Sequence, residues 1–129
     1  HSLKSDIFQY LHRAEYAGFS FCMSLTDINF ENLNETNDFT FYQCSVLKTI
    51  NLPKLEIIST SSFYGCVNLM NCSFPKATTF EITSFYGCRK LINISAPELE
   101  LVNDESFFYC TDLECVSFPS LKNIGKRAK

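Results

Sequence analysis

A solenoid of stacked 22-residue units, each contributing one short strand to a parallel sheet, is the fold class this sequence predicts, and three observations predict it. Phe19, Phe41, Phe63, Phe85 and Phe107 recur at a fixed interval along the 129 residues. Cys22, Cys44, Cys66, Cys88 and Cys110 follow in the same register, and Leu25, Leu47, Leu69, Leu91 and Leu113 follow those. A constant period above about twenty residues marks an array in which each unit buries its apolar edge against its neighbours.

The remaining columns complete the unit. Ile28, Ile50, Cys72, Ile94 and Val116 form one apolar column, and Phe30, Leu52, Phe74, Ala96 and Phe118 a second. Leu33, Leu55, Ala77, Leu99 and Leu121 form a third, and Thr36, Ile58, Phe80, Val102 and Ile124 a fourth. A large side chain contributes about 1.5–3 kcal/mol when fully buried, too little for one unit to offset the ordering of its own backbone. Five stacked units supply a continuous core. The alternation Leu-x-x-Ile-x-Phe reads as a strand over about 26 to 31 in the first copy and its equivalents. Pro53, Pro75, Pro97 and Pro119 then stop the ladder, since proline has no amide to donate; the first copy has Glu31 there. The return half, as in 55 to 63, is too short for a long helix and is expected as turns, extended pieces or 3₁₀ segments. Leu3, Phe8 and Leu11 stand one period before Leu25, Phe30 and Leu33. Residues 1–15 therefore read as a partial repeat, 16–125 as five full ones, and 126–129 as a basic, solvated tail. A start in mid-repeat after His1-Ser2 reads as a piece cut from a longer array.

The units Phe63-Tyr64-Gly65-Cys66-x-x-Leu69-x-x-Cys72-x-Phe74-Pro75 and Phe85-Tyr86-Gly87-Cys88-x-x-Leu91-x-x-Ile94-x-Ala96-Pro97 resemble the BspA-like, or Treponema pallidum-type, leucine-rich repeat. The resemblance covers 16–125 in five copies, and 3–15 faintly. Ala17, Phe39, Ser61, Thr83 and Glu105 vary where that family favours small residues. The resemblance implies a curved leucine-rich repeat solenoid and a non-enzymatic adhesion or recognition module, exposed at a cell surface, that binds a host, matrix or cellular protein. Two other readings stand beside it: an intracellular scaffold, which evenly spaced unpaired cysteines suit, and a spacer that self-associates end to end.

Composition narrows the partners. With 46% hydrophobic residues, 19% charged and a formal charge of -3, no basic stripe exists for nucleic acid beyond Lys126, Arg127 and Lys129. No apolar run is long enough to insert this fragment in a membrane. The cysteines lack zinc-type spacing, and Cys110 and Cys115, the closest pair, have no histidine beside them. A column of five reads as a buried ladder of small apolar side chains. Cys72 joins the core, and Cys115 falls in an outward column as the one reactive thiol expected. His12 offers no triad, no glycine-rich phosphate loop exists, and Glu98, Glu100, Asp104 and Glu105 read as a solvated cluster. No catalytic residue, metal site or cofactor is expected.

Candidate binding residues are therefore those that packing does not claim. Outward positions of the strands give Asp27, Thr49, Asn71, Asn93 and Cys115 in one row and Asn29, Asn51, Ser73, Ser95 and Ser117 in another. A third row holds Lys48, with Met70 and Ile92 as apolar spots. Together they are expected to line the concave face as a shallow polar surface. A separate aromatic edge is expected from Tyr42, Tyr64, Tyr86 and Phe108, serving either as ring-on-ring packing or as a sticky ridge. Sequons at Asn34, Asn71 and Asn93 read as chance matches, two of them on strands.

Overall fold

The computed structural model describes residues 11–128. The expected partners Leu3 and Phe8 lie outside the described residues, whereas Leu11 is half-buried against the core. Five three-residue strands, β2 (Asp27–Asn29), β4 (Thr49–Asn51), β6 (Asn71–Ser73), β8 (Asn93–Ser95) and β10 (Cys115–Ser117), form one parallel sheet. Ile28, Ile50, Cys72, Ile94 and Val116 stand in register across it. The strands are shorter than the alternation suggests, because the chain turns away at the same place in every coil, at Pro53, Pro75, Pro97 and Pro119 and equally at Glu31 after β2. β2, β4, β6 and β8 each show exposed, buried, exposed side chains.

The return half is extended. β5 (Ile57–Ile58), β7 (Thr79–Phe80), β9 (Leu101–Val102) and β11 (Asn123–Ile124) make a second parallel sheet, and β1 (Arg13–Ala14) pairs with β3 (Glu35–Thr36) beside it. Among the described residues no α or 3₁₀ helix occurs. A third ladder of backbone bonds closes each coil: Phe41 N donates to Ser62 O at 2.9 Å, Phe63 N to Ser84 O at 2.8 Å and Phe85 N to Ser106 O at 2.9 Å.

That third side turns through left-handed backbone at two places per coil. Ala17, Phe39, Ser61, Thr83, Glu105 and Arg127 lie at φ between 47° and 61°, which explains a column where small residues suit and β-branched ones strain. Four residues later come Phe21, Gln43, Gly65, Gly87 and Tyr109, also at positive φ. Gly87 has φ +73° and a Cβ there would stand at ordinary contact distance, 4.0 Å, from the Gly65 Cα, whereas a Cβ on Gly65 would meet Gln43 at 3.2 Å. Gly87→Ala is thus expected to cost about 1–2 kcal/mol from backbone alone, and Gly65→Ala more. Urea denaturation of both variants checks the order, and equal costs would contradict it.

The core is a stack. Phe19, Phe41, Phe63, Phe85 and Phe107 lie face to face at 5.2–5.4 Å. The cysteine ladder does more than fill space. Cys44 Sγ donates to Phe19 O at 3.0 Å, Cys66 to Phe41 O at 3.2 Å, Cys88 to Phe63 O at 3.1 Å and Cys110 to Phe85 O at 3.1 Å, each reaching into the preceding coil. All seven cysteines are free. Burial pushes the Cys44 thiol from 9.0 to about 11 and those of Cys66, Cys72 and Cys88 well above the ordinary value.

The last coil departs from its column. Val116 is 48% and Ile124 61% exposed, although Ile94 and Val102 are at most 2% exposed. The reason is geometric: among the described residues no coil covers them. Residues 126–128 continue the winding, with Glu105 N donating to Lys126 O and Phe107 N to Ala128 O, while the Lys126 and Arg127 side chains are exposed.

Candidate interaction surfaces

Asp27, Asn29, Lys48, Thr49, Asn51, Met70, Asn71, Ser73, Asn93, Ser95 and Ser117 are exposed on the five-stranded sheet or at its margin, and Ile92 is half-buried. In-register pairing sets like side chains side by side, so several satisfy one another. Thr49 donates to the Asp27 carboxylate, Asn51 Nδ2 to Asn29 Oδ1 at 3.0 Å and Asn93 Nδ2 to Asn71 Oδ1 at 2.9 Å. The last bond ties together two of the sequons, while Asn34 of the third is exposed just before β3. Ser73, Ser95 and Ser117 form an exposed row beside them. Cys115 is exposed beside them.

On the aromatic edge, Tyr42 stacks on Tyr64 at 5.0 Å and Tyr64 on Tyr86 at 4.6 Å and 3°, with Phe108 tilted against Tyr86 at 5.7 Å. Ring faces are spent on one another, so edges and hydroxyls face outward. The strip runs further than one column indicates. Phe21 and Phe39 meet Tyr42, Tyr16 meets Phe39, and Tyr109 meets Tyr86 and Phe108. Tyr16, Phe21 and Tyr109 are 67%, 62% and 54% exposed, more than singly scattered apolar residues require. Only the tyrosine column was legible in the sequence: Phe21 and Tyr109 share a column with Gln43, Gly65 and Gly87, and the left-handed backbone at that position turns them outward.

A further feature lies on the return sheet, where the sequence signal is the short pair Thr78–Thr79 between longer side chains of the neighbouring coils. Three adjoining concavities of about 420, 350 and 480 Å³ share Thr78. The short pair Thr78–Thr79 stands between Glu56–Ile57 in the preceding coil and Glu100–Leu101 in the following one, in register with both. Lys76 pairs with Glu98 at 3.5 Å and Lys122 with Glu100 at 3.2 Å. A concavity of about 290 Å³ lies beside the starts of β8 and β10, lined by Ile92, Thr111, Asp112, Leu113 and Glu114. Among the described residues no group of three or more His, Cys, Asp or Glu is placed to hold a metal ion, and no helix is long and apolar enough to cross a membrane.

The sequence matches the family described as BspA type leucine rich repeat region, in six copies over residues 11–128. No curated protein matches it. Among solved structures, a leucine rich cell surface protein from Faecalibacterium prausnitzii A2-165 superposes with a TM-score of 0.78 at 22% identity over 84% of this chain and 30% of that one. A leucine-rich repeat protein from Eubacterium ventriosum ATCC 27560 gives 0.79 at 25% identity over 86% of this chain and 32% of its own. One from Bacteroides ovatus ATCC 8483 gives 0.53 at 24%, over 87% and 43%. This chain spans about a third of the length of the first two.

Proposed function

Because this chain belongs to the BspA-type leucine-rich repeat family, whose repeats generally serve as protein-interaction scaffolds, we propose that it acts without catalysis, as a recognition or adhesion module on a cell surface with a protein ligand. The observation that carries this reading is the division of labour within each coil. Recurring residues are consumed by packing, and what remains is a row of unengaged serines on one face and a continuous aromatic strip along an edge. Extended surfaces of this kind suit macromolecules better than small molecules. The cell-surface description of the Faecalibacterium protein supports the location.

Beads carrying the chain are expected to adhere to surfaces coated with matrix protein or with cells. Ser73→Arg together with Ser95→Arg is expected to reduce adhesion at least tenfold, about 1.4 kcal/mol, with an unchanged melting temperature. Tyr64→Ala together with Tyr86→Ala is expected to lower the melting temperature instead, because each ring is a bearing surface for the next. Adhesion that survives both pairs would overturn the reading.

The intracellular alternative rests on free thiols, and their burial weakens that support. A thiol donating to a carbonyl inside the stack is shielded from oxidants in any compartment. Fractionating the source cell separates the two locations directly.

A further inference from the structure

We propose that the trough between Phe21 and Tyr109, walled by the stacked tyrosines, holds a polyproline II segment of a protein ligand, with two prolines three residues apart. This rests on the chain being a protein-interaction module, and it names the partner class of the aromatic strip.

One column makes the trough. Phe21, Gln43, Gly65 and Gly87 donate their backbone N–H groups to the carbonyls of Tyr42, Tyr64, Tyr86 and Phe108 in the following coil, at 2.7–2.8 Å, so the column steps at strand spacing. Gln43 lays its carboxamide over Gly65, and the nearest non-neighbouring atom to where a Gly87 Cβ would stand is the Gly65 Cα at 4.0 Å. The floor is therefore low between two exposed rings, Phe21 and Tyr109. At each end a ring meets the tyrosine wall edge to face. Phe21 stands against Tyr42 at 5.6 Å and 72°, and Tyr109 against Tyr86 at 5.6 Å and 88°. The two aromatic corners face each other along the wall.

Spacing selects the ligand's backbone. Two ring steps, of 5.0 and 4.6 Å, separate the corner at Tyr42 from the corner at Tyr86. A polyproline II helix completes a turn in three residues and about 9.3 Å, so residues i and i+3 reach both corners from one side. In a strand, residues three apart point to opposite faces, and in an α-helix they rise only about 4.5 Å.

Hydrogen bonding selects the composition. The hydroxyls of Tyr42, Tyr64 and Tyr86 and the Gln43 amide can donate, and Arg89, exposed in the flanking column, only donates. That flanking column, Ser45, Val67, Arg89 and Thr111, holds no carboxylate. On the far side of the tyrosines, Glu105 is tied to Arg127. A proline-rich segment brings carbonyls with no internal hydrogen bond and few N–H groups, which complements a wall of donors. Its pyrrolidine rings fill the two corners, as prolines do in other aromatic-lined grooves.

The test titrates three blocked peptides into the isotopically labelled chain, followed by NMR: hexaproline, Ala-Pro-Ala-Ala-Pro-Ala and its rearrangement Ala-Pro-Ala-Pro-Ala-Ala. Hexaproline is expected to shift the amide resonances of Gln43, Gly87 and Tyr109 with a Kd of about 0.1–1 mM. The peptide with prolines three apart is expected to bind at least threefold more tightly than its rearrangement, a comparison that needs no variant. Phe21→Asn and Tyr109→Asn are each expected to weaken hexaproline at least fivefold. The fold survives both, because asparagine accepts left-handed backbone and Gln43, Gly65 and Gly87 hold the same column without a ring. Absence of shifts at millimolar hexaproline, equal binding of the two spacings, shifts on Ser73 and Ser95, or binding that survives both substitutions would overturn the proposal. Tighter binding of cellohexaose at the same resonances would overturn it in favour of a sugar. Failure here with intact bead adhesion would remove only the polyproline ligand, and hexaproline binding without bead adhesion would remove only the adhesion reading.

Discussion

Phe85→Ala is expected to lower the unfolding free energy by about 3–5 kcal/mol, the largest effect of any single substitution in the chain. Phe85 is fully buried and meets four rings: Phe63 at 5.3 Å, Phe107 at 5.4 Å, Phe74 at 5.7 Å and Phe80 at 5.1 Å. Its removal opens a cavity between coils. In a solenoid each coil touches only its neighbours, so the loss is expected to uncouple the C-terminal coils from the rest as well as lower the total. Urea denaturation followed by circular dichroism should show an earlier and broader transition. Hydrogen exchange should show faster opening of β10 and β11 than of β4. A shift below about 1 kcal/mol with a single sharp transition would mean that the ring stack is not what joins the coils.

Alkaline pH is expected to unfold the protein through its thiols. Cys44, Cys66, Cys72 and Cys88 have pKa values raised by burial, so the folded state keeps protons that the unfolded state gives up above pH 9.0. Stability is therefore full below that pH and falls as pH rises, by about 1.4 kcal/mol per unit for each thiol. Four thiols together give about 5 kcal/mol per unit, comparable to the whole stability of a small domain. Unfolding is expected between about pH 10 and pH 11. Cys72→Val separates this cause from lysine and tyrosine titration, because the same column holds Ile28, Ile50, Ile94 and Val116. That variant is expected to change stability at pH 7 by less than about 1.5 kcal/mol while reducing the alkaline slope by one thiol. An unchanged slope would place the pH dependence elsewhere.

The candidate surfaces were unevenly legible. Asp27, Asn51 and Ser73 could be placed outward from alternation alone, since a strand sends every second side chain to the same face. What they do there could not. Asn29 with Asn51, and Asn71 with Asn93, become one another's partners only once register sets them on adjacent strands. Tyr64 and Tyr86 were visible as a column, but ring-on-ring stacking at 4.6 Å depends on how the turn aims them. The concavities at Thr78 escaped notice because a threonine between an isoleucine and a leucine looks like ordinary surface variation until three coils are laid side by side.

By itself the sequence determined the period, the identity of the inward columns and the parallel pairing of one strand per coil. Those follow from local rules, in that a residue repeated every 22 positions must occupy the same place in every turn if each turn is to bury its edge. The tertiary structure decided the rest. It made the return half a second sheet, bent the closing turn through two left-handed residues per coil, and gave the cysteines carbonyls of the preceding coil as hydrogen-bond acceptors. None of these is a property of one unit: each requires a neighbouring coil at strand spacing, which supplies the acceptor, the opposing ring or the missing wall.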